Sequence, residues 1–483
     1  MLSREEIKAI YDQGPDAVLT LVEGLVATFQ LQLGELQAQV KELQERLALN
    51  SHNSSKPPSG DPPAQRTKSL RQPSGKKSGA QPGHPGTTLK ASLTPERIVV
   101  HAAARCQACG QRLAELAGQQ TAERRQVFDL PPLKLAVTEH RLCEQLCPRC
   151  GTRNCGAFPA AVAPGVQYGP QLKSLAVYLV QYQLLPWQRT CELLGDLFGQ
   201  PLAEGTLSAA INECAAGLVQ PEAEIKQALT RAAVVNFDET GLYVAGHREW
   251  LHVASTAWLT HYGPHAKRGA EAINEIGILP ALTGRALHDA WAPYFDYACA
   301  HGLCNAHHLR ELTFVHEQLG QAWAKQLKDL LLASKLAVEH ARARGQQALS
   351  QAQQRRFQQR YDQLLAAGLA LPENHPPPPS GKRGRRKQSK AKNLLDRLAQ
   401  RKAETLAFMS DFAVSFDNNQ AERDLRMVKV QQKVAGCFRS KSGAQAFCRI
   451  RGYISTIKKQ GRNVLAALSS VFAGQPLSPL PEG

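Results

Sequence analysis

The chain has 483 residues, enough for roughly two to four domains with cores of their own. No run approaches the ~20 consecutive apolar residues of a membrane span, and the start, MLSREEIKAIYDQGPD, lacks a secretory core and cleavage site, so a cytoplasmic protein with no membrane partner is expected. A formal net charge of +17 and twelve cysteines in that compartment argue for a polyanionic partner and against a disulfide framework.

Residues 1–50 read as a coiled coil. Val22, Val26, Phe29, Leu33, Leu36, Val40, Leu43 and Leu47 keep an unbroken 4-3 spacing, which predicts one apolar seam against a partner helix and a homo-oligomer built through it. Gly24 and Gly34 weaken that helix. Residues 51–96 are rich in Ser, Pro, Gly and Lys with little to bury, and read as a flexible basic linker.

Residues 97–158 hold a cysteine cluster. Cys106-Gln-Ala-Cys109-Gly and Cys147-Pro-Arg-Cys150-Gly are two CxxC knuckles, and four thiolates satisfy a closed, structural Zn²⁺ site. Alternating stretches between them, RRQVFDL and LKLAVTEHRLCEQL, are expected to be strands that bring the pairs together. Cys143 and Cys155 are spare and could each replace a ligand.

Three helical stretches punctuated by Pro186 and Gly199 follow over residues 166–220. They fit a DNA-binding helix-turn-helix and a plain three-helix bundle equally well. The period then changes to two. AAVVNFDET, GLYVAG and EWLHVASTA predict three short strands in a meander, and RALHDAW a further one, over residues 230–302. Residues 303–392 are helical and end in a Pro tract and the basic run GKRGRRKQSKAK, residues 393–470 are helical again, and 471–483 form a Pro-rich tail. Between Leu425 and Pro481 stand ten Lys or Arg and no acidic residue, which marks Arg426, Lys429, Lys433, Arg439, Lys441, Arg449 and Arg451 as candidates for contacts to DNA phosphates.

Asp238 and Asp289 are each expected at the end of an apolar strand, and Glu422 in the second turn of a helix begun by Asp417 and a capping box with Gln420. Two strand-end aspartates and a helix glutamate form a hard-oxygen set suited to Mg²⁺ or Mn²⁺ and to two-metal phosphoryl transfer. Each has an innocent reading too, as a turn cap or a surface ion-pair partner.

Several of these segments resemble the insertion sequence 66 family of bacterial transposases. The resemblance rests on NSSKPPSGD at 53–61, the four cysteines, the stretch from Gln167 to Leu207, FDNNQAERDLRMVKVQQKVAGCFRS at 416–440 and the CRIRGYISTIKKQGRN that follows. It implies a ribonuclease-H-like α/β catalytic domain interrupted by a helical insertion, within an α+β multidomain chain. It also implies a DDE triad of Asp238, Asp289 and Glu422, action on transposon ends and target DNA, and accessory transposition proteins as further partners. Cys304-Asn-Ala-His307-His308-Leu-Arg310 resembles the family's Cys-x-x-His-x-x-Arg stretch, with Asn305 where an aromatic is expected, and makes His307, His308 and Arg310 auxiliary candidates. A nucleoid-associated transposase is the reading that results. Its rivals are a nuclease of the same fold without strand transfer, a non-enzymatic zinc DNA-binding regulator, and an inactive relic.

Overall fold

The computed structural model describes residues 4–54, 79, 83, 89–101, 103–113, 123–162, 165–375 and 388–480. Most of the 51–96 linker, including the SKPPSGD stretch, and residues 381–387 of the basic run lie outside the described residues. The chain forms two compact units, one of Met1–Lys68, Ala163–Glu192 and Leu202–Gly483, the other of Ser69–Val162 and Leu193–Pro201.

In the larger unit, Gly14 at φ 109° separates α1 (Arg4–Tyr11) from α2 (Pro15–Leu47), which Pro15 opens. The eight seam residues named above all lie on α2 and are each about half exposed or more, from 48 % at Val26 to 85 % at Leu47. One 18-residue stretch of α2 is also apolar enough on average to cross a membrane by length and composition alone. It is not a run of consecutive apolar residues, because Thr20, Glu23, Gly24 and others interrupt it.

The centre of this unit is a five-stranded sheet in the order β5-β4-β3-β6-β7. β3 (Val234–Val244), β4 (His247–Ser255) and β5 (Thr260–His265) form an antiparallel meander, whereas β6 (Arg285–His288) and β7 (Ala300–Leu303) run parallel to β3. Two of the expected strands are thus one: VVNFDET and GLYV run without a break, and Asp238 sits inside β3 rather than at its end. Gly241 suggested a turn, but the chain stays extended there and folds back at Ala245–Gly246, both at positive φ (49° and 80°), as a two-residue hairpin with matching twist requires. β7 had no counterpart among the sequence expectations.

Strand alternation divides the sheet into two faces. On one, Leu242, Val244, Leu251, Val253 and Tyr262 pack with α14 (Asn419–Ala435) and α15 (Lys441–Lys459). Beside them Leu287 packs with α8 (Asn305–Leu319), α9 (Ala322–Ala343), α10 (Gln351–Leu369), α11 (Lys390–Gln400) and, beyond the single turn α12 (Lys402–Thr405), α13 (Ala407–Ser410). On the other face, Val235, Phe237, Ala254 and Ala286 meet α6 (Val219–Thr230), α7 (Ala270–Ile276) and Tyr294. Gly452 lets α15 lie close on β5, since a Cβ there would stand 3.1 Å from the Thr260 carbonyl oxygen.

The expected helices of residues 166–220 are α3 (Pro170–Val177), continued by a π-turn over Tyr178–Tyr182, α4 (Trp187–Phe198) and α5 (Glu204–Gly217). Helix α5 packs on α3, α15 and α16 (Val464–Phe472), and its exposed residues include Glu204, Asn212 and Glu213 but no cation. As a DNA-reading helix it therefore has no electrostatic footprint.

The smaller unit holds the six cysteines of the cluster, Cys106 to Cys155. β1 (Glu144–Leu146) pairs with β2 (Arg153–Cys155), and the strands expected over 124–142 do not form. That stretch is largely exposed, and it pairs with no strand among the described residues.

Candidate active site

Register places the first two carboxylates. Asn236 pairs with Leu287 across β3 and β6, and Leu287 with Gly302 across β6 and β7. Two residues further on, Asp238, Asp289 and Cys304 fall into one row on the face that carries α8 and α14. The third carboxylate comes back from far along the chain. Asn418 ties the start of α14 to this row, its Nδ2 donating to the Phe237 carbonyl (2.7 Å) and its backbone N–H to the Cys304 sulfur (3.1 Å). Glu422 then lies in the first turn of α14, where the exposed amides of the helix start favour a negative charge. The expected capping box is absent: Asn418 is the N-cap, and Asp417 accepts from the Asn419 N–H (3.2 Å) instead.

Ligand atoms of Cys304, His307 and Glu422 lie within 4.8 Å of one another, and Arg310 Nη2 stands 3.9 Å from Glu422. Burial first, then the charges of Glu239 and Asp289 and more weakly that of Glu422, pushes the Asp238 carboxyl well above its ordinary range, although the Glu239 N–H works against this. Among the described residues, Cys304, His307 and Glu422 form the group close enough to share a metal ion, and Asp238 and Asp289 are not part of it. Carboxylate oxygens in general suit a hard divalent ion such as Mg²⁺ or Mn²⁺.

The auxiliary candidates separate. His307 faces the site: burial and Arg310 hold its imidazole down to about 4, so it is neutral, and its buried Nδ1 has no hydrogen-bond partner. His308 does not, being 2 % exposed with Nδ1 on Asn305 Oδ1 (3.2 Å). Asn305, in place of the expected aromatic, is a tie, bonding the Phe416 and Thr405 carbonyls (3.0 Å each). Burial raises the Cys304 thiol to about 12.

Sequence reasoning missed a fourth carboxylate, Glu239. As the strand neighbour of Asp238 it points to the opposite face, 1 % exposed, where Arg268 Nη2 (2.5 Å) and the Tyr294 hydroxyl (2.5 Å) donate to it. Two acids in succession in a strand were the available signal, because one of them must then be buried with a partner; nothing in the sequence marks Arg268. Ala290, next to Asp289, has φ 70°, a left-handed conformation costly for a residue with a Cβ. The Asp289 carboxylate accepts from the Trp291 N–H (3.0 Å) across this turn.

Of the cations, Arg426, Lys433, Arg439 and Lys441 are exposed, and Lys429 donates to the Gly241 carbonyl (2.5 Å). Arg449 and Arg451 instead turn inward. Arg449 pairs with Glu222 (2.6 Å), and Arg451, 4 % exposed, donates to the Gln181 and Tyr182 carbonyls (3.1 and 3.2 Å).

In the smaller unit each knuckle turns through its Gly, at φ 73° for Gly110 and 70° for Gly151. The Gly110 and Gly151 N–H groups return to the Cys106 and Cys147 carbonyls (3.0 and 2.8 Å). Backbone amides of Cys109 and Ala108 hold the Cys106 thiol below its ordinary value, and Thr152 does the same for Cys150. No three of Cys106, Cys109, Cys147 and Cys150 have their sulfurs within 4.8 Å of one another.

Such a site, with acids gathered on a sheet beside exposed cations, belongs to enzymes that act on DNA, a class in which divalent metal use is usual. The model of the Transposase IS66 family matches residues 165–446, more than half the chain, and the chain belongs to that family. Residues 7–90 match a family of unknown function. No curated protein matches the chain.

Proposed function

We propose that the chain is a DDE transposase that cleaves DNA at the ends of a mobile element and joins them to target DNA, with Asp238, Asp289 and Glu422 holding two Mg²⁺ or Mn²⁺ ions. We read the sheet, a three-strand meander followed by two strands parallel to its first, as ribonuclease-H-like. The observation that carries the proposal is that Asp238, on β3, is buried within reach of the charges of Asp289, just past β6, and Glu422, on α14, which add to burial and to Glu239 in pushing its carboxyl up. Bound there, the ions would activate the attacking oxygen and stabilise the leaving one. The protein's own part is positioning. Arg310 holds Glu422, Asn418 fixes α14 against β3 and β7, and neutral His307 offers a free nitrogen toward the site.

Arg426, Lys429, Lys433, Arg439 and Lys441 would hold the DNA backbone. The paired knuckles would close on one Zn²⁺ as a structural centre, since the amides around Cys106 already favour the thiolate. The uncovered seam of α2 would pair with that of a second copy.

Purified protein, Mg²⁺ and labelled DNA carrying the element's ends test the reading, with Asp238→Ala beside wild type. Nicked and joined products from wild type alone, with DNA binding kept in the variant, are expected. Nicks without joining would make it a nuclease, and equal cutting by both proteins would sink the role given to Asp238.

A further inference from the structure

Glu239 fixes Arg268, and Arg268 in turn organises a row of side chains on the far face of the sheet. Its guanidinium lies 4.3 Å from the Trp291 ring centre and 4.9 Å from that of Trp250, whose ring also carries Arg248 at 4.7 Å. Strand pairing extends the row. Trp250 lies opposite Gly241, and Arg248 opposite Tyr243, which is half exposed. Gly241 has no side chain to cover this stretch: a Cβ there would touch Arg248 at 3.4 Å. Lys429 donates to the Gly241 carbonyl (2.5 Å), adding a cation beside the row. At the other end the Trp291 N–H is bonded to Asp289.

Aromatic and cationic groups therefore alternate as Tyr243, Arg248, Trp250, Arg268 and Trp291, from the hairpin toward the carboxylates. A duplex offers phosphates to such a row but keeps its base faces closed in the stack. An unpaired strand offers both, and ring and guanidinium planes bind base faces with little regard to sequence. We propose that this row binds unpaired nucleotides of the strand whose phosphate lies at Asp238, Asp289 and Glu422. Its position along the DNA rests on the catalytic reading of those carboxylates, but its chemistry does not.

The test is fluorescence anisotropy of the full chain, without divalent metal, on a blunt duplex, the same duplex with a short unpaired arm, and single-stranded oligothymidylate. Wild type should prefer the two probes with unpaired bases. Trp250→Ala should weaken binding to those probes by on the order of tenfold and leave the blunt duplex unchanged, Arg268→Gln should weaken those probes clearly more than the blunt duplex, and Trp250→Phe, which keeps a ring, should retain the preference. Thermal unfolding of each variant separates lost stacking from lost fold. Equal affinity of wild type for blunt and armed duplex, or a preference that survives Trp250→Ala and Arg268→Gln in folded protein, would overturn the proposal. Asp238→Ala should keep the arm preference; were that variant still to cut DNA, the catalytic assignment would fall while the platform stood.

Discussion

Replacing Arg451 by Met separates a structural arginine from a DNA-binding one. Met keeps the apolar stem and removes the guanidinium. The Gln181 and Tyr182 carbonyls that it serves lie at the end of the π-turn, where helix carbonyls have no partner further along, and the chain leaves that end through Leu184 at φ 61°. A buried carbonyl left without a donor costs about 1–3 kcal/mol, so two of them cost roughly 2–6 kcal/mol. Part of this is offset, because the guanidinium is itself buried and its Nε has no partner. A net loss of about 2–4 kcal/mol is expected, read as a lower urea midpoint with an unchanged slope. Binding to a random duplex, measured against salt, should keep its slope. A phosphate-contacting arginine would do the reverse, reducing the slope by about 0.9 and leaving the midpoint in place. That second pattern is the one we expect of Lys433→Gln, and its appearance in Arg451→Met would refute the structural role.

The Asp238 carboxyl, raised in the folded chain, contributes stability that is complete below its unfolded value near 4 and is lost as pH rises through the folded value. Protein in chelator should therefore lose thermal stability from about pH 4 upward, Mg²⁺ should restore it, and Asp238→Asn should remove both effects. Unchanged melting of wild type across that range, with and without Mg²⁺, would count against the packed carboxylates. Metal analysis of purified protein should find about one zinc per chain, absent after Cys109→Ser or Cys150→Ser. Full zinc content in either variant would show that the two knuckles do not share an ion.

The carboxylates were legible because each sits where pattern is strongest: Asp238 and Asp289 follow apolar strand residues, and Glu422 lies near the start of an amphipathic helix. Their placement relative to one another was not legible from pattern, since it depends on Asn418 and on the parallel pairing of β3 with β6, contacts between segments distant in sequence. Gly241 misled because a glycine in an apolar run marks either a turn or a close approach, and only the partner strand decides which. Arg449 and Arg451 misled for a related reason. Charge density along a sequence says nothing of which cations turn inward to serve carbonyls and carboxylates.

Asp238 and Glu239 stand side by side in β3 yet serve opposite faces of the sheet, and only parity keeps them apart. The tight turn at Ala245 and Gly246 sets that parity by fixing which residue of β3 meets which of β4. It works as a ruler for the active site from a distance. One residue inserted between the turn and Asp238 would exchange the two acids, leaving a glutamate to face Asp289 and an aspartate to reach for Arg268. The hairpin can therefore tolerate changes of composition far better than a change of length.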